Sequence, residues 1–122
     1  MRRAVVSLLL ILAAVGGCGD GGARDEANQL YSEGGAAASS GDHQKAVERF
    51  SQALEKFPAG FIHFERAKSY AALGKDDEAR KDIEAARADG VAESECSLLL
   101  TEMQKPLARR FKLPPRPTPS VK

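Results

Sequence analysis

Two stretches, Gly41-Asp42-His43-Gln44-Lys45-Ala46 and Gly74-Lys75-Asp76-Asp77-Glu78-Ala79, carry the same pattern. Each runs on at the same spacing, to Phe50 and Ala53 in the first copy and to Ile83 and Ala86 in the second. The glycine is a helix stop, the polar residues are a short turn with an N-cap candidate, and the alanine opens the buried face of a new helix. A helical segment precedes each glycine, over about residues 24–39 and 60–73. Between the copies lies Phe57-Pro58-Ala59-Gly60, which ends one helix and restarts another. The reading is helix–turn–helix, twice, with copies 33 residues apart.

The rest of the composition agrees. The chain has 122 residues, 43% apolar and 29% charged, with no Trp and 6% aromatics. That is enough for one domain. Few Val and Ile occur after residue 20, and Ala, Leu, Glu, Lys, Arg and Gln dominate, which favours helix over strand.

These residues resemble the tetratricopeptide repeat. Ala46, Phe50, Ala53 and Pro58 meet its second-helix pattern in order, and Ala79, Ile83 and Ala86 meet it again, with Val91 in place of the proline. The small close-packing residue of the first helix falls on Gly34 and Ala67. The aromatic expected three residues later is Tyr70 in the second copy and only Ala37 in the first. The bulky position before it is Leu30 in one copy and His63, a departure, in the other. The spacing is one residue short of the usual period of about 34. With Gly41 and Gly74 at the turns, the resemblance covers about residues 27–91. It implies an all-α fold of two stacked hairpins, about 27–59 and 60–92, in a short right-handed solenoid. Stacking is required because each hairpin leaves an apolar face uncovered. Cys96, Leu99, Leu100, Met103 and Leu107 recur at helical spacing and supply a cap over about 93–111, kinked at Pro106, with Phe111 as a last apolar anchor. The domain as a whole is expected over 24–111.

The resemblance also implies a groove. In such arrays the first helices line a concave face, and by spacing its exposed positions fall on Asn28, Tyr31, Gly35 and Ala38, then on Phe61, Phe64, Lys68 and Ala71. Tyr31, Phe61 and Phe64 are rigid anchors suited to a protein partner, and Lys68 offers a charge to a carboxylate or carbonyl. Asn28 completes the set. The several basic and Asn residues needed to clamp a terminal carboxylate are missing. The family further implies a structural pair between Arg66 and Asp82, expected to be partly exposed and worth little.

Chemistry is sparse elsewhere. No nucleophile elbow, phosphate loop, metal-spaced cysteine pair or His-Glu helix motif occurs, so no catalysis, metal, cofactor or small-molecule substrate is expected. His43 is expected to start a helix and His63 to sit at a helix seam. Asp76-Asp77-Glu78 reads as the favourable acidic first turn of a helix.

The ends are different in kind. Met1-Arg2-Arg3 precedes an apolar run, Ala4 to Val15, too short to span a bilayer, which takes roughly 18–20 residues. It has the size of a secretory signal, 1–17. Val15-Gly16-Gly17-Cys18 looks like a bacterial lipobox, so Cys18 is the expected lipidation site, leading into a Gly-rich tether over 18–23. Gly19 after the cysteine, rather than an acid, favours the outer over the inner membrane, facing the periplasm. Cys96 is then left without a partner and is expected to be buried. The formal charge is +1, which excludes a generally basic nucleic-acid binder. It is unevenly placed: residues 20–102 hold 10 basic and 17 acidic residues, whereas Lys105, Arg109, Arg110, Lys112, Arg116 and Lys122 lie beyond them with no acid. The segment 112–122 carries four prolines and reads as a disordered basic tail. Together these features point to a non-catalytic adaptor lipoprotein of the cell envelope that presents a groove to a partner protein. The alternative is a self-associating accessory subunit of an envelope assembly.

Overall fold

The computed structural model describes residues 19–112, with side chains from Gly21 onward. The expected signal segment, Cys18 and residues 113–122 lie outside the described residues. Five α-helices succeed one another, α1 (Gly19–Ser39), α2 (His43–Lys56), α3 (Gly60–Ala72), α4 (Asp76–Ala88) and α5 (Glu93–Met103), and a single 3₁₀ turn at Leu107–Arg109 ends the path. No strand occurs among the described residues. Helices α1 and α2 pair, as do α3 and α4; α2 lies against α3, and α5 covers the α3–α4 pair. This is the expected all-α stack of two hairpins and a cap.

The turns show why the repeat reads as it does. Gly41 and Gly74 sit at φ +87° and +79°, and Gly90 repeats the device at +97°. In that left-handed region a Cβ is penalised, so glycine ends the helix without strain. The residues after them then turn back onto helix carbonyls: Asp42 N–H donates to Ala37 O at 2.8 Å and Lys75 N–H to Tyr70 O at 2.9 Å. Asp42 also caps α2 by accepting from Lys45 N–H at 3.1 Å. His43 is the first residue of α2, as expected. At the junction of the copies Phe57 and Ala59 are extended, on either side of Pro58.

The repeat residues form the core. Ala46, Phe50, Ala53, Ala67, Ala79, Ile83 and Ala86 are all fully buried. Two clusters result. One joins α1, α2 and the start of α3 around Phe50 and Ile62; the other joins α3, α4 and α5 around Ile83, Cys96, Leu99 and Met103. Small residues let the backbones approach: a Cβ on Gly34 would stand 2.6 Å from the Phe50 ring. Cys96 is buried as expected, and burial pushes its thiol pKa up. Tyr70 is half-buried at the edge of the second cluster.

Three details differ from expectation. Helix α1 begins at Gly19, so Gly19–Ala23 of the segment read as a tether are helical. Extending a nucleated helix adds a hydrogen bond per residue, which offsets the roughly 1 kcal/mol penalty of each glycine. The cap is shorter than 93–111: α5 stops at Met103, and only one 3₁₀ turn comes after Pro106. Finally, Phe111 is 46% exposed and is not the anchor. That role falls to Arg110, whose side chain is only 8% exposed.

Candidate functional site

Helices α1, α3 and α5 contribute one shared face, and the residues expected to line a groove are on it. Tyr31 of α1 packs against the buried Phe50 ring at 5.7 Å and meets Phe61 of α3 edge-on at 5.1 Å. Phe61 remains 48% exposed. The edge-to-face pair therefore spans the α1–α3 seam with a wet outer side. Desolvation, with help from Glu65, raises the Tyr31 hydroxyl pKa. One α-helical turn further on, Phe64 is half-buried, and Lys68 Nζ lies 5.5 Å from its ring while pairing with Glu65 at 2.8 Å.

Two concavities flank Lys68. One, of about 380 Å³, opens between α3 and α5 and is walled by Phe64, Leu98, Leu99 and Phe111, with Glu95, Glu102, Lys68 and Lys112 at its edge. The other, of about 360 Å³, opens between α1 and α3 beside Gly35, Ala38, His43 and Glu65. Lys68 and Phe111 line both, so the two halves form one trough across α3. Of the expected groove residues, Phe64 and Lys68 lie in the trough, and Tyr31 and Phe61 form the aromatic pair on the same face. Asn28 is exposed on α1 but lines neither half. The α5 wall was missed. Leu98 is 71% exposed there. The signal was present: Leu98-Leu99-Leu100 are consecutive, and three adjacent helical residues cannot all face one core.

Beside the trough, α3 and α4 are locked by a buried acid. Asp82 accepts from Arg66 Nε and Arg66 Nη2, both at 2.7 Å, and pairs with His63 Nδ1 at 2.9 Å. Arg66 Nη1 donates to Ser51 Oγ at 3.1 Å, which ties in α2. The Arg66–Asp82 pair is therefore more buried than expected, with side chains 20% and 5% exposed. The hydrogen bonds to Asp82 hold the Arg66 pKa up. His63, the departure from the repeat pattern, sits at the α3–α4 seam and serves this cluster.

Among the described residues no group of three or more His, Cys, Asp or Glu is placed to hold a metal. No helix there is long and apolar enough to cross a membrane.

The chain is similar to a protein of Aspergillus fumigatus described as heat-shock protein cognate (HSC) co-chaperone sgt12, with 39% identity over 62 residues. The match takes in 50% of this chain and only 18% of that protein. No protein-family profile matches the chain, and no solved structure matches it.

Proposed function

We propose that this protein is a non-catalytic, tetratricopeptide-like adaptor that holds a segment of a partner protein in the trough across α1, α3 and α5. One observation carries the reading: Phe61, Phe64, Leu98 and Phe111 keep apolar surface open on one concave face. Such anchors, rimmed by charge, are what a protein segment uses. The partial similarity to a co-chaperone supports a protein-binding role. Lipid on Cys18 would keep the adaptor at a bacterial envelope membrane, the outer more than the inner, and would raise its local concentration against a membrane-held partner.

The test is crosslinking in an envelope preparation, with identification of the captured protein. Phe61→Ala with Phe64→Ala should abolish capture while helicity is retained; unchanged capture overturns the groove. Cys18→Ser should move the protein from the membrane to the soluble fraction, and retention in the membrane overturns the anchor.

Self-association is a second reading, favoured by Leu98 and Leu107 standing exposed beside the cap. Sedimentation separates the two: a dimer that grows with concentration and disappears in Leu98→Ser supports it, and a monomer at all concentrations removes it.

A further inference from the structure

Arg110 is the most heavily bonded side chain after α5. Its Nη1 donates to Asp76 Oδ1 at 2.6 Å and to Ala71 O at 2.8 Å. Its Nη2 donates to Asp76 Oδ2 at 3.0 Å and Met103 O at 2.7 Å, and its Nε to Lys105 O at 3.0 Å. One guanidinium thus satisfies carbonyls at the C-terminal ends of α3 and α5 and the acidic start of α4. That clasp turns the chain back. Phe111 takes the left-handed conformation at φ +59°, and its N–H donates to Glu102. A positive φ is unfavourable for a bulky residue and persists only where the surroundings hold it. The outcome is directional: Phe111 lies where the two halves of the trough meet, and Lys112 lines the α3–α5 half.

We infer that residues 113–122 occupy the trough of their own chain, so that the groove is self-ligated and a partner segment must displace them. The inference rests on the reading of the trough as a peptide-binding surface. Three observations support this occupant over any other. The described chain reaches Lys112 inside the trough. The segment beyond it, Leu113-Pro114-Pro115-Arg116-Pro117-Thr118-Pro119-Ser120-Val121-Lys122, is Pro-rich and carries basic residues with no acid. Pro-rich segments are pre-set in extended polyproline geometry and dock on aromatic-lined grooves, here those of Phe64, Phe61 and Tyr31. The charge is complementary as well, since residues 20–102 carry 17 acids against 10 bases and Glu65, Glu95 and Glu102 line the trough.

Reach and concentration are sufficient. Polyproline geometry advances about 3.1 Å per residue, so Thr118 stands about 19 Å beyond Lys112. Neighbouring helix axes are about 8–10 Å apart, so this crosses from α3 to α1 with slack. A segment tethered at the mouth of its site sees an effective concentration on the order of millimolar. An affinity in trans as weak as about 1 mM would then leave the trough about half occupied. A displacing partner would share the chemistry: an extended, Pro-rich segment with basic side chains.

The test places a photo-crosslinking p-benzoylphenylalanine at Thr118 in the full chain, in membranes of the expressing cell. The expected product runs at monomer mass, with the crosslink mapped to 28–38 or 61–68. Replacing Pro114, Pro115, Pro117 and Pro119 by Ala should lower its yield several-fold; these positions lie outside the helical core, so loss of folding does not enter. Arg110→Ala should lower the yield too. A crosslink found only at dimer mass assigns the segment to a second copy, and one found only on lipid assigns it to the membrane surface; either overturns self-ligation, as does a yield indifferent to the prolines. If self-ligation fails but Phe61→Ala with Phe64→Ala still abolishes partner capture, the adaptor reading stands alone; if capture is indifferent too, both readings fall.

Discussion

Replacing Asp82 with asparagine keeps the shape of the side chain and removes its charge. In the native protein that carboxylate is 5% exposed and takes two hydrogen bonds from Arg66 and one contact from His63. The substitution leaves the Arg66 guanidinium, 20% exposed, with Ser51 Oγ and whatever contact the amide oxygen can still provide. Breaking one side of a buried ion pair costs about 3–5 kcal/mol, because the remaining charge stays desolvated. Arg66 keeps some access to water, so the lower end, about 3 kcal/mol, is expected. For a folded body of this size 1 kcal/mol corresponds to about 4–8 °C, which puts the fall in Tm at about 12–24 °C. The assay is thermal unfolding of the full chain by circular dichroism. Two further variants make it discriminating. Glu26→Gln breaks the open Lys56–Glu26 pair, whose side chains are 49% and 59% exposed, and should cost under about 1 kcal/mol. Arg66→Met combined with Asp82→Leu removes both charges and should recover most of the loss, since an apolar replacement of a buried pair is often neutral. If Asp82→Asn costs no more than Glu26→Gln, or the double variant is as unstable as the single one, the buried pair does not hold α3 to α4.

Gly34→Ala and Gly35→Ala should move stability in opposite directions. A Cβ at Gly34 would press on the fully buried Phe50 ring, costing about 1–3 kcal/mol, whereas one at Gly35 meets nothing within 4 Å and should gain up to about 1 kcal/mol of helix propensity; urea titration of both variants measures the pair. Ala86→Trp forces a large ring into a fully buried site between α4 and its neighbours and should lower the Tm by more than about 10 °C, on the order of 2–3 kcal/mol; an unchanged melt would mean that the helices do not approach there. The docking of residues 104–112 should weaken in acid. Hydrogen bonds from Arg110 hold the Asp76 carboxyl below the ordinary aspartate value, so its contribution is complete above about pH 4 and fades as the pH falls through that value and beyond. Methyl resonances of Leu107, which packs over Gly74, should shift on acidification in the native chain and not in Asp76→Asn.

The helical repeat was legible without coordinates because its signals are local. Gly41 and Gly74 announce left-handed turns by lacking a Cβ, and Ala46, Phe50, Ala53, Ala79, Ile83 and Ala86 recur at the spacing of one buried face. Turn chemistry and helical periodicity are properties of a few consecutive residues, so the chain states them directly. The groove was legible in part for the same reason: once α1 and α3 have a register, Tyr31, Phe61, Phe64 and Lys68 must share the opposite face. The remaining features depend on which helix ends meet. Asp82 looks like any surface acid on α4 until Arg66, His63 and Ser51 converge on it and water is excluded. Arg110 belongs to a run of basic residues that reads as a soluble tail, yet its position is decided by two helix C-terminal ends and Asp76, brought together from 39, 34 and 7 residues away. Exposed carbonyls at helix ends demand donors, but the sequence does not say whose, because that is set by where the ends come to rest in space. The α5 wall of the trough, with Leu98 turned outward, and the return of Phe111 across it are products of that packing alone.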